Sequence, residues 1–123
     1  MFKKVAFTMF AVEDSARARA FYEDKLGLER GSSDKAGVWT EYDLPGGGCL
    51  ALFKHPDPAH VAEPGSGSAS IALEVESLDS AMKELKAKGV TFSSDVIQSP
   101  VCRMAHIKDS EGNSIMLHEL HEK

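Results

Sequence analysis

Val5-Ala-Phe-Thr-Met-Phe-Ala-Val12 runs into Glu13-Asp14-Ser15, and Ser70-Ile-Ala-Leu-Glu-Val75 runs into Glu76-Ser77. Each is a strand-like stretch that stops at a helix-starting residue. The two lie 63 residues apart in a chain of 123, so the sequence repeats over about half its length. After the first stretch, Ala18, Phe21, Tyr22 and Leu26 recur at helical spacing and set one apolar stripe against a sheet, with Gly27 as a left-handed stop. Trp39 to Leu44 and Cys49 to Phe53 then read as strands around Pro45-Gly46-Gly47-Gly48, a hairpin. After the second stretch, Ser77 is a natural N-cap, and Leu78, Ala81, Met82 and Leu85 make the next stripe before Gly89 ends the helix. Val101 to Lys108 and Ser114 to Leu120 follow as strands around Asp109-Ser110-Glu111-Gly112-Asn113. A short strand in each half, Glu29 to Ser32 and Val90 to Phe92, completes the same order twice.

The expectation is therefore an α+β fold: two βαβββ modules forming a curved mixed-sheet trough with the helices on the outside. The length allows one domain over residues 1–123, with module one at about 1–54, a linker at about 55–67 and module two at about 68–123. The stretch Lys54 to Gly67 is rich in Pro, Gly, Ser and His and too poor in apolar residues to pack.

Composition narrows the function classes. Hydrophobic residues at 42% and charged ones at 27% are the balance of a globular chain. Asp and Glu outnumber Lys and Arg by 19 to 14, which argues against nucleic acid, whose phosphates need clustered cations. No apolar run approaches the roughly 20 residues needed to cross a bilayer, and no secretory leader pattern opens the chain. No membrane partner and a cytoplasmic location are the expectations. Cys49 and Cys102 sit inside strand-like runs without metal-type spacing and read as buried free thiols.

Strand alternation assigns the faces. Leu50 and Leu52, then Ile71, Leu73 and Val75, then Ile115 and Leu117 are uniformly aliphatic and suit packing under helices. The opposite faces carry Ala51 and Phe53; Ser70, Ala72 and Glu74; Met116 and His118. This mixed polarity suits a ligand cavity, and the first strand adds Phe7 and Met9. If Ile107 pairs with Ile115, His106 falls beside Met116 and Met104 beside His118. Trp39 and Glu41 alternate on a strand that borders the same cavity.

Several segments resemble the vicinal-oxygen-chelate superfamily of glyoxalases, bleomycin-resistance proteins and dioxygenases. They are Phe10-Ala-Val-Glu-Asp-Ser with Ala20-Phe-Tyr-Glu-Asp-Lys-Leu-Gly-Leu, Ile71-Ala-Leu-Glu-Val with Lys86-Ala-Lys-Gly-Val, and Ile107-Lys-Asp-Ser-Glu-Gly-Asn-Ser-Ile-Met-Leu. The resemblance implies paired βαβββ modules, agreeing with the repeat. It also implies a divalent metal held by His and Glu that chelates two neighbouring substrate oxygens. Carried over one at a time, those ligand positions fall on Phe7, Ala51, Ser70 and Met116. None is a usual metal ligand. The expectation is no metal and no cofactor.

Of the remaining polar residues, His55 and His60 read as solvated linker residues, and His121 lies near the end. Arg17, Arg19, Lys83 and Glu84 read as a solvated helix face, and Arg103 as either an edge residue or a partner for an anion. Two functional readings follow. The first is a metal-independent small-molecule-binding protein resembling bleomycin-resistance proteins, with Phe7, Met9, Trp39, Glu41, Phe53, Glu74, His106, Met116 and His118 as ligand-binding residues. The second is an enzyme of the same superfamily (lyase, isomerase or dioxygenase) with a relocated metal site at His106, His118 and Glu74. A homodimer is expected in either case, because two such modules leave unpaired strand edges.

Overall fold

A computed structural model describes residues 1, 3, 5–56 and 70–121. Within them the chain forms two sheets of four and five strands, an α+β arrangement. Strand β1 (Thr8–Ala11) leads into helix α1 (Ser15–Ala20), followed by β2 (Arg30–Ser33), β3 (Trp39–Asp43) and β4 (Cys49–Phe53). The second half repeats this with β5 (Ile71–Glu74), α2 (Leu78–Ala87), β6 (Thr91–Phe92), β7 (Ile97–Gln98), β8 (Cys102–Lys108) and β9 (Ser114–Leu120). The first sheet runs β1-β4-β3-β2 and the second β5-β9-β8-β6, with β7 also on β8. In both sheets the strand before the helix pairs in parallel with the last strand of its half, and every other pair is antiparallel.

The helix ends follow the local chemistry. Asp14 caps α1 by accepting from the Arg17 amide at 2.9 Å, and Ser77 caps α2 by accepting from the Ser80 amide at 3.3 Å. Gly27 at φ 73° and Gly89 at φ 80° take the left-handed conformation that stops each helical segment. Between Ala20 and Gly27 the structure departs from the expected continuous α-helix. Phe21–Lys25 is a π-helical turn in which the Leu26 amide reaches back five residues to Phe21 at 3.1 Å. The wider turn buries the adjacent rings of Phe21 and Tyr22 together.

Several boundaries also shift. β1 is four residues where Val5 to Val12 was expected, and β2 starts and ends one residue later than Glu29 to Ser32. β7 is an addition, held by Ile97 and Gln98 opposite Met104 and Arg103. Most of the expected linker, with His60, lies outside the described residues.

The core is one cluster drawn from both halves. Phe10, Val12, Ala18, Phe21, Tyr22, Tyr42, Leu50 and Leu52 join Leu78, Leu85, Val90, Ala105, Ile107, Ile115 and Leu117. The aliphatic faces therefore turn to the helices, as alternation required, and the mixed faces turn away.

The halves are tied by the β8–β9 turn. Its Glu111 takes the Glu13 and Asp14 amides at 2.9 Å each and the Arg17 guanidinium at 2.7 and 3.0 Å, all at the start of α1. Asp109 accepts from the buried Tyr22 hydroxyl at 2.8 Å, and Asn113 donates to the Ala11 carbonyl at 3.0 Å. Arg17 stays solvent-exposed, as its helix position suggested, and is at the same time a strut between the halves. Arg19 likewise donates to the buried Thr40 hydroxyl at 2.8 Å. Arg103 is not at a sheet edge, since its strand pairs with Gln98 on one side and Glu119 on the other, and it bridges Asp79 at 3.0 Å and Glu119 at 3.7 Å.

Candidate functional site

On the outward face of the first sheet, register sets Met9, Ala51 and Glu41 in one row and Phe53 and Trp39 in the next. Phe7 meets Trp39 edge-on at 5.2 Å between ring centroids, and Trp39 lies 6.1 Å from Phe53. These spacings are those of favourable aromatic pairs. Phe7 is 44% exposed and Met9 49%, unusual for residues of their size next to a packed sheet. His55, read from the sequence as a solvated loop residue, stands edge-on to Phe53 at 5.7 Å and extends the wall. The signal was present, since His55 follows Phe53 by two residues and alternation carries it to the same face.

The outward face of the second sheet is polar and sulfur-rich. Glu74, His118 and Met104 form one row, and Ala72, Met116 and His106 the next, in the register anticipated from Ile107 opposite Ile115. The His118 Nδ1–H donates to Glu74 Oε1 at 2.6 Å, and Glu74 Oε2 accepts the Leu120 amide at 2.9 Å. The bond to Glu74 first, and then the nearby Cys102 side chain, raises the pKa of His118 above the usual imidazole value against opposing desolvation. The same bond to His118, then that from Leu120, lowers Glu74. His106 does not join this pair. Its Nδ1 lies 3.3 Å from Ser94 Oγ, which also accepts the His106 amide at 3.0 Å. Among the described residues, no group of three His, Cys, Asp or Glu side chains is placed to hold a metal ion, so His106, His118 and Glu74 are not assembled as a ligand set.

A cleft of about 690 Å³ lies elsewhere, between the Leu44–Gly48 turn, β5, α2 and the end of the first helical segment. It is the counterpart of a junction that is filled in the other half. The Leu44 amide bonds the Gly48 carbonyl at 2.7 Å, as the Asp109 amide bonds Asn113 at 2.9 Å, and the two five-residue turns superpose in pattern. Asp109, Glu111 and Asn113 fill their junction with buried polar side chains. Leu44, Gly46 and Gly48 hold the equivalent places, and two of them have no side chain to offer. Of the expected ligand residues Glu74 lines this cleft, whereas Phe7, Met9, Trp39, Glu41, Phe53, His106, Met116 and His118 line neither it nor two smaller ones of about 490 and 320 Å³.

The model of the Glyoxalase/Bleomycin resistance protein/Dioxygenase superfamily matches residues 4–117. The chain belongs to this superfamily. Among curated proteins it is 27% identical to the uncharacterized protein YetH of Bacillus subtilis (strain 168), over 97% of this chain and 100% of that one. Among solved structures it resembles UcmS2 at 24% identity and TM-score 0.80, covering 96% of this chain and 98% of the other. It also resembles TnmS3, an antibiotic binding protein from Streptomyces sp. CB03234, at 23% identity and TM-score 0.74, covering 98% and 100%. These likenesses establish the shared fold.

The superfamily's metal can be tested against the residues present. The positions the resemblance assigns to its ligands carry the phenyl ring of Phe7, the buried methyl of Ala51, the hydroxyl of Ser70 and the thioether of Met116. Phe7 is engaged with Trp39, and Ala51 offers no donor atom. A hydroxyl and a thioether alone do not satisfy a first-row divalent ion, which selects imidazole and carboxylate. The residues do not fit that metal.

Proposed function

We propose that this chain binds a planar aromatic small molecule without altering it and without a metal, in a trough that a second copy completes. The wall of exposed Phe7 and Met9 with half-buried Trp39 and Phe53 carries the reading, because it presents aromatic and thioether surface on the face opposite the core. Aromatic surface held by its own edge-on contacts is rigid and loses little freedom on binding a flat ligand. Glu41, Glu74, His106, Met116 and His118 supply the polar positions that orient the ligand. The antibiotic binding named for TnmS3 supports the same class of activity.

The second copy enters through the edges. Among the described residues, β1 and β5 each end a sheet with one side unpaired. Val5 at 78% exposure, with Phe7 and Met9, lines the β1 side. A symmetric pair covers both edges and sets the aromatic wall of one chain against the Glu74 and His118 wall of its partner.

Trp39 is the only tryptophan, so its fluorescence reports directly on the wall. Titration with a panel of polycyclic aromatic antibiotics should give a saturable change that Phe53→Ala weakens, and mass spectrometry should recover the ligand intact. Chemical conversion of the ligand would overturn sequestration, and a flat response across the panel would overturn the aromatic site. About one equivalent of nickel, zinc, iron or manganese surviving mild chelation would overturn metal independence. The same reading expects no turnover of methylglyoxal hemithioacetal, whose proton transfer through an enediolate needs the metal and base that these positions lack.

A further inference from the structure

We propose that the cleft between the Leu44–Gly48 turn, β5 and α2 binds a straight-chain aliphatic carboxylate, as a second site separate from the aromatic wall. Its floor is aliphatic. Leu26, Leu28, Leu44, Ile71, Leu73 and Val75 each pack one side against the core, remain half-buried and line the cleft. Among the described residues no aromatic ring lines it. A flexible alkyl chain meets such walls by dispersion contacts, whereas a flat ring system finds no face to stack on. The volume of about 690 Å³ falls within the roughly 300–1,000 Å³ of small-molecule pockets. The turn keeps the space open, because Gly46 at φ 90° takes a conformation that favours glycine and so offers no side chain to fill it.

The charges at the rim select the head group. Lys25, Glu74, Glu84 and Lys88 are the charged residues that line the cleft. Both carboxylates are engaged already. Glu84 pairs with Lys88 at 3.5 Å, and Glu74 takes the His118 ring and the Leu120 amide. Lys88 Nζ also donates to the Lys25 carbonyl at 3.4 Å, which ties the ends of the two helical segments together beside the opening. The half-buried Lys25 lies 5.8 Å over the Phe21 ring and pairs with no carboxylate among the described residues. The uncompensated charge is therefore positive, and an anionic head complements it. The tail along Leu28, Leu73, Ala81 and Leu85 supplies most of the affinity, since each buried methylene tightens binding about fourfold.

Calorimetric titration of the full chain with dodecanoate, kept below its micelle concentration, tests this. Binding should saturate, and the shorter octanoate should bind roughly a hundredfold more weakly. Dodecyltrimethylammonium, with the opposite head charge, should bind roughly tenfold more weakly than dodecanoate, and Lys25→Gln should erase that preference. Ala81→Phe, which fills the cleft from α2, should weaken dodecanoate roughly tenfold or more with unchanged circular dichroism. In methyl NMR spectra of the parent chain, dodecanoate should shift Leu28, Leu73 and Leu85, a readout that needs no variant to fold. No saturable binding, shifts confined to Met9 and Phe53's neighbours, or full affinity in a folded Ala81→Phe overturns the site. Equal binding of the two head groups, or an anion preference that survives Lys25→Gln, overturns the carboxylate as its ligand. The aromatic-site titration rests on Phe7, Trp39 and Phe53, none of which lines the cleft, so each result stands apart from the other.

Discussion

His118 and Glu74 each favour the other's charged form, and the two shifts bracket a pH window. His118 is raised above 6.5, so its contribution is complete below that value and is lost as pH rises through its folded value. Glu74 is lowered below 4.5, so its contribution is present above that value and is lost as pH falls through its folded one. The pair is therefore held between those limits, although its exposure keeps its weight in overall stability small. An NMR titration of His118 should give a midpoint above 6.5, and Glu74→Gln should bring it down. A midpoint unmoved by that substitution would detach the two residues. Alternation in the sequence placed both on one face, because a side-chain period of two is a property of any strand. It could not reveal that His106 is claimed by Ser94, which lies in a connection where no periodicity applies.

At the scale of elements, the Asp109–Asn113 turn is the joint between the halves. Burial alone would push Glu111 up, yet the Arg17 guanidinium, the Asp14 and Glu13 amides and the Ser110 hydroxyl together hold it at about 2. Its carboxylate thus stabilises the fold above 4.5, and that contribution drains away as pH falls toward about 2. Glu111→Gln should lower unfolding stability by about 3 kcal/mol at neutral pH, since Arg17 and two amides lose a charged acceptor. Urea midpoints followed against pH should fall through that acid range in the parent and change less in the variant. Parallel curves would mean Glu111 does not drive the acid sensitivity. Tyr22→Phe should cost about 1 kcal/mol more modestly, because Asp109 keeps its bonds from Asn113 and Glu111. The turn itself was legible as Asp-x-x-Gly-Asn, as were the helix start at Glu13-Asp14-Ser15, the cap at Ser77 and the stops at Gly27 and Gly89. The joint was not, because Arg17 and Glu111 lie 94 residues apart and local pattern treats each as a surface charge. The π-helical turn was hidden for a related reason. Phe21 and Tyr22 fit an α-helical stripe closely enough that only packing against both Tyr42 and the core selects the wider turn.

At the scale of the whole molecule, the proposed dimer rests on surface that one chain leaves uncovered. The helix sides of both sheets contribute to a shared core, with a cleft left between β5 and α2, whereas the β1 edge carries Val5, Phe7 and Met9 in the open. Apolar residues along an unpaired strand promote pairing with another chain, and a closed symmetric pair satisfies them without growing into a fibre. Such an interface should bury well over ~1,000 Å² in total. Light scattering at low micromolar concentration should therefore give twice the 13.3 kDa chain mass, and a 13.3 kDa particle would refute the dimer. Val5→Glu places a carboxylate where the partner is expected, yet Val5 is 78% exposed and lies outside both the core and the aromatic wall, so the fold should survive. The variant should run at the mass of one chain with unchanged circular dichroism. If each trough needs both chains, the variant should also lose the Trp39 fluorescence response to ligand, although Trp39 itself is intact. A variant that becomes monomeric yet binds as before would confine the site to one chain and separate oligomerisation from ligand capture.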